Sequence, residues 1–147
     1  MTKTLSLLWF AVLAAIALLH GYWGLGGLWP GSTEQELINI VVGDPAMVQM
    51  FPMQITLVVT GLIFLAGLFA LMAGGTFQIF PRWSIRIATG VLTIVFTGRA
   101  VSGFYAAQID YTFTEPFGTY DLWFYSPLCL ILGLGFAYLT ITARKAS

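Results

Sequence analysis

One histidine and one isolated arginine carry most of the chemistry this 147-residue chain could offer: His20 and Arg99. His20 could exchange a proton near neutral pH, and Arg99 could clamp an anionic head group, a carboxylate or a phosphate through its paired N–H donors. His20 lies 17 residues beyond Lys3 and Arg99 lies 16 beyond Trp83. At helical rise both therefore sit about 25 Å from the basic ends of their segments. Asp121 opens the last apolar segment from the opposite end, with Tyr125 one α-helical turn deeper on the same face. These four side chains are expected around one outward-facing cavity, with Arg99 and Asp121 in salt-bridge reach. Tyr22 and Trp23, beside His20, complete the expected ligand-binding set. The competing reading has Arg99 snorkelling outward or pairing with Asp121 only to tie two helices, and His20 as a satisfied residue at a helix end.

Other chemistries have less to stand on. One cysteine, Cys129, cannot close an intrachain disulfide, and one histidine removes paired-histidine metal motifs. Haem with two axial histidines would need a dimer. No metal and no cofactor are expected, and Cys129 reads as an inert buried thiol. Six basic and six acidic residues cancel, so the electrostatic footprint of a nucleic-acid binder is missing and nucleic acid is not an expected partner.

These residues must be positioned by helices in lipid. Hydrophobic residues make up 59% of the chain and charged residues 8%, against about 25% charged in soluble domains. No Asp, Glu, Lys or Arg occurs from Thr4 to Thr33, from Pro45 to Pro81 or from Leu122 to Ala143. A spanning helix needs about 20 predominantly apolar residues. Spans are expected near Leu5 to Leu25, Met53 to Ala73, Ser84 to Tyr105 and Leu122 to Ile141, the third interrupted only by Arg99. This describes an all-α fold, a bundle of four transmembrane helices forming a single domain over residues 1–147. Lys3, Arg82, Arg86, Arg144 and Lys145 fall on one side of that threading, and Glu34, Glu36, Asp44, Asp110, Glu115 and Asp121 on the other. The positive-inside rule makes the basic side cytoplasmic, with both termini on the cytoplasmic side of a bacterial inner membrane. A cleaved signal peptide is the alternative for Lys3 with Leu5 to Leu19, but the apolar run continues through Trp29.

Between the spans, Gly74 to Trp83 reads as a short connection with Gly and Pro breakers. In Trp29 to Phe51, Ser32 with Gln35 has capping-box spacing and predicts a short helix on the outer surface. The segment Ala106 to Tyr120 mixes Tyr111, Phe113, Phe117 and Tyr120 with acids. Small residues four apart suggest packing tracks at Ala17 and Gly21, Ala66 with Ala70 and Gly74, Gly98 and Ser102, and Gly133 and Ala137. Trp9, Trp23, Trp29, Trp83 and Trp123 mostly fall where an aromatic belt belongs. Ser126-Pro127 either starts a helix or kinks one that starts at Asp121.

The run His20-Gly21-Tyr22-Trp23-Gly24-Leu25-Gly26-Gly27-Leu28-Trp29-Pro30 resembles the first-helix signature of a small bacterial membrane family, domain of unknown function 3995. Arg99-Ala100, then Phe117, Asp121 and Tyr125-Ser126-Pro127-Leu128-Cys129, agree with it, so the resemblance covers nearly the whole chain. That family usually carries an acid a few positions after the arginine. Val101, Ser102, Gly103 and Phe104 stand there instead, which leaves Asp121 as the counter-charge. The resemblance implies a four-helix integral membrane protein and no established activity. The expected function is non-catalytic binding of a small amphipathic or anionic ligand, a lipid or quinone, at the outer end. An enzyme would use His20 as acid or base, Asp121 or Tyr125 to orient it and Arg99 as electrostatic stabiliser. An accessory subunit of a membrane complex, or a homo-oligomer, would use the small-residue tracks for docking. A transporter lacks the expected inverted repeat.

Overall fold

The structure is a computed structural model that describes residues 2–108 and 113–143. Asp110, Tyr111, Arg144 and Lys145, which the sequence reading used, lie outside the described residues. Within them the chain is all-helical, with five helices. These are α1 (Thr2–Gly24), α2 (Glu34–Val41), α3 (Met53–Ala73), α4 (Arg82–Gln108) and α5 (Phe117–Thr142). All but α2 are long and apolar enough to cross a membrane, as expected of a multi-pass membrane protein. The third helix coincides with the span expected from the charge gaps, while α4 and α5 extend beyond theirs at both ends.

The long helices pack as two antiparallel pairs, α1 along α3 and α4 along α5, with further contacts of α3 to α4 and of α1 to α5. Trp9, Leu13, Ala70, Leu132 and Phe136 centre the shared core. Trp9 is therefore no belt residue: it is 8% exposed and donates its indole N–H to the Leu132 carbonyl at 3.1 Å. An indole so buried needs such an acceptor. Trp29, Trp83 and Trp123 are exposed, as a belt requires. Between α4 and α5 the Thr89 and Thr140 hydroxyls lie 2.9 Å apart, while Thr93 and Thr97 bond back to carbonyls one turn earlier. Small residues set the close approaches, but not where Gly98 and Ser102 suggested. A side chain at Gly98 would meet open space, whereas one at Gly133 would run into Thr97.

Lys3, Arg82 and Arg86 gather at one end of this bundle and Glu34, Glu36, Asp44, Glu115 and Asp121 at the other. Over the acidic end lies α2, whose Leu37 and Ile38 are buried. Its cap falls one residue later than the Ser32 and Gln35 spacing suggested. Thr33 Oγ1 accepts from the Glu36 N–H at 3.2 Å, and the Glu36 carboxylate accepts from the Ser32 N–H at 2.8 Å. The first bond satisfies a donor that a helix start leaves open, and the second ties the residue before the cap to the first turn.

Neither reading of Pro127 holds as stated: the helix begins neither at Ser126 nor at Asp121 but runs from Phe117 through the proline. Pro127 has no N–H to offer, and its ring would crowd the carbonyl four residues back. A π-helical turn at Asp121–Tyr125 widens the helix just before it, with the Ser126 N–H bonded to the Asp121 carbonyl.

Candidate functional site

Arg99 sits on α4 nine residues short of its acidic end, and Asp121 lies in the π turn of α5. Arg99 Nη2 donates to Asp121 Oδ1 at 2.5 Å, the side chains being 40% and 3% exposed respectively. The carboxylate is thus sunk into the bundle while the guanidinium keeps an open side. Such a pair holds because each charge, left alone in a low-dielectric setting, would cost on the order of several kcal/mol.

Gly103, one turn after Arg99 on the same face, makes the meeting possible. A Cβ there would overlap Ser126 Oγ and lie 2.6 Å from Asp121 Oδ2 and 2.8 Å from Arg99 Nη1. Three polar atoms converge where a side chain is missing. Ser126 is fully buried, and among the described residues its hydroxyl has no hydrogen-bond partner. Arg99, Ser102, Gly103, Ala106, Phe113, Phe117 and Asp121 line a hollow of about 360 Å³ that is open at the molecular surface. It offers Arg99 donors and a buried acceptor at its base, with two aromatic rings in its wall.

The π turn explains both what joins this site and what leaves it. In an α-helix, residues four apart share a face, which is why Tyr125 was expected beside Asp121. Widening the turn moves that alignment to a spacing of five, and Ser126 takes the place. Tyr125 instead donates its hydroxyl to the Ile40 carbonyl at 3.2 Å, satisfying one of the last carbonyls of α2. Its ring rests near Phe117, centroids 5.8 Å apart. Phe117 in turn fills the space beside Gly43, whose φ of 75° is one that glycine adopts without strain. The Thr114 N–H then bonds to the Gly43 carbonyl at 3.0 Å, so the two segments at the acidic end are knitted together.

His20 is not brought to this hollow. It lines another, of about 240 Å³, with Trp23, Val41, Val42, Met50, Phe51, Ile55, Thr56 and Val59, between α1, α3 and the segment after α2. His20 Nδ1 lies 2.9 Å from the Ile16 carbonyl and its ring 5.1 Å from that of Trp23. Trp23 donates its indole N–H to the Trp29 carbonyl at 2.7 Å, and the Tyr22 hydroxyl accepts from the Trp29 N–H at 3.4 Å. Both tie the loop after α1 to its own helix. Of the six expected site residues, Arg99 and Asp121 share one hollow, His20 and Trp23 share the other, and Tyr22 and Tyr125 brace the segments at the acidic end.

The sequence profile described as Protein of unknown function (DUF3995) matches residues 13–136. The chain belongs to this family. No curated protein and no solved structure matches. The matched DUF3995 segment contains His20, Arg99, Gly103, Asp121 and Ser126, so both hollows are built largely within it. In this DUF3995 chain, Gly103 was within reach of sequence reasoning, being four residues beyond Arg99. Ser126 was not, because only the widened turn aligns it with Asp121.

Proposed function

We propose that this protein binds, without transforming it, a small amphipathic molecule whose oxygen-bearing head enters the Arg99 hollow and whose apolar part lies along Phe113, Phe117 and Ala106. One observation carries this reading: Asp121 pins a guanidinium that is still 40% exposed, so its remaining N–H donors are oriented in advance over an open hollow. A lipid phosphate and a quinone carbonyl both present the acceptor oxygen this requires. The lining of His20's separate hollow supports binding over catalysis, since a proton-transfer partner must come within hydrogen-bond reach of the reacting group.

Delipidated protein, titrated separately with phosphatidylglycerol and with decylubiquinone, should retain one of them at one molecule per chain in native mass spectrometry. Retention of the first assigns a lipid head and of the second a quinone. Arg99→Lys should lower it about tenfold, because an ammonium keeps the charge and loses the planar fork. Retention of neither, or equal retention by Arg99→Lys, would refute the reading.

The same proposal places the protein in a bacterial inner membrane, basic end inward by the positive-inside rule, so that both hollows face outward. In a Cys129→Ser background, cysteines at Ser32 and Thr114 should react with an impermeant thiol reagent added outside. One at Thr76 should be protected, and the reverse pattern would invert the orientation.

A further inference from the structure

The His20 hollow has no part in the ligand site proposed above, and its chemistry is different. A carbonyl oxygen can only accept, so the 2.9 Å contact with Ile16 O puts a hydrogen on His20 Nδ1. The neutral ring then carries its lone pair on Nε2. The other polar side chains in the wall are already engaged. Trp23 donates its indole N–H to Trp29 O, and the Thr56 hydroxyl donates to Pro52 O at 3.4 Å. Val41, Val42, Phe51, Ile55 and Val59 make the rest of the wall largely hydrocarbon. A metal ion has little to hold it, since no group of three His, Cys, Asp or Glu side chains forms a cluster among the described residues. About 240 Å³ lies below the usual range for drug-sized ligands and suits a single substituted ring.

We propose that this hollow is a second binding site, for a small apolar ring bearing one hydroxyl, a phenol head, whose O–H donates to His20 Nε2. Inside an apolar wall, that one hydrogen bond discriminates strongly, because a ligand without the donor leaves the imidazole acceptor unpaired. Arg99 offers donors and selects acceptor heads, whereas His20 offers an acceptor and selects donors. The two sites therefore take ligands of opposite hydrogen-bonding sense.

A single histidine makes the test direct, because selective nitrogen labelling gives one imidazole to follow by NMR in the full-length protein. The probe is para-tert-butylphenol, and its control is the methyl ether of the same compound, which lacks the O–H. The phenol should shift the His20 Nε2 resonance saturably while Nδ1 stays protonated, and the ether should bind about tenfold more weakly or not at all. Val59→Phe, which adds a ring to the wall of the hollow and keeps His20, should abolish the shift and leave retention in the Arg99 hollow unchanged. An ether response equal to the phenol's, a shift that grows without saturating, a hydrogen on Nε2, or an unchanged response in Val59→Phe would each overturn the proposal. The wild-type comparison of phenol with ether decides the question even if the variant does not fold. None of these failures touches the Arg99 reading, whose test uses other ligands and another substitution.

Discussion

The two hollows at the acidic end share a level in the bundle and differ in how their polar groups are held. In one, Arg99 and Asp121 bridge α4 and α5, so the groups that would meet a ligand also join two helices. In the other, His20 bonds among the described residues to its own helix, through Ile16, and the surrounding wall is mostly aliphatic and aromatic. A polar group whose partner lies across a helix interface couples binding to stability. One whose partner lies one turn away on its own helix does not.

The sharpest break between the hollows should come from Arg99→Ala, which strands a carboxylate only 3% exposed. Removing one partner of a buried pair costs about 3–5 kcal/mol, less whatever the carboxyl recovers by taking up a proton. Asp121→Ala should cost clearly less, because the arginine left behind already reaches solvent. Unfolding in mixed detergent micelles measures both, and equal losses would mean that the two ends of the pair are equally buried in the membrane.

Gly103→Ala should come next, at about 1–3 kcal/mol, because the added methyl overlaps Ser126 Oγ and crowds both ions. The same unfolding measurement checks it. Combined with Arg99→Ala it should cost less than the sum of the two, since the substitutions act on one cluster. Additive losses would separate Gly103 from the ion pair and weaken the picture of three polar atoms converging on it.

Most of the fold was legible because charge is so scarce. Three long gaps without Asp, Glu, Lys or Arg mark where lipid can be the solvent, and α3 matches its expected span residue for residue. The Arg99 and Asp121 pairing was legible for the same reason: an isolated charge at that depth needs a partner, and Asp121 is the acid at its level. Lateral position was harder to read. Depth counting puts His20 and Arg99 at one height but carries no information on which helices are neighbours, and α1 packs along α3 rather than beside Arg99. Rotation failed at one place, the π turn, where a single extra residue exchanges Tyr125 for Ser126 beside Asp121. Trp9 misled for a related reason. An indole one turn from a helix boundary reads as interfacial until Gly135 on a neighbouring helix is seen to leave room for it.

Separateness of the hollows is tested most directly by a double-mutant cycle on ligand retention. Decylubiquinone and phosphatidylglycerol would each be titrated against the wild type, Arg99→Lys, His20→Ala and the double variant, and the ligand that the wild type retains would be followed. Two independent hollows predict about a tenfold loss with Arg99→Lys, no change with His20→Ala, and a double variant indistinguishable from Arg99→Lys alone, the coupling being within about 0.5 kcal/mol of zero. A loss with His20→Ala as large as that with Arg99→Lys, and not additive with it, would mean that one ligand spans both residues and that the two hollows are a single site.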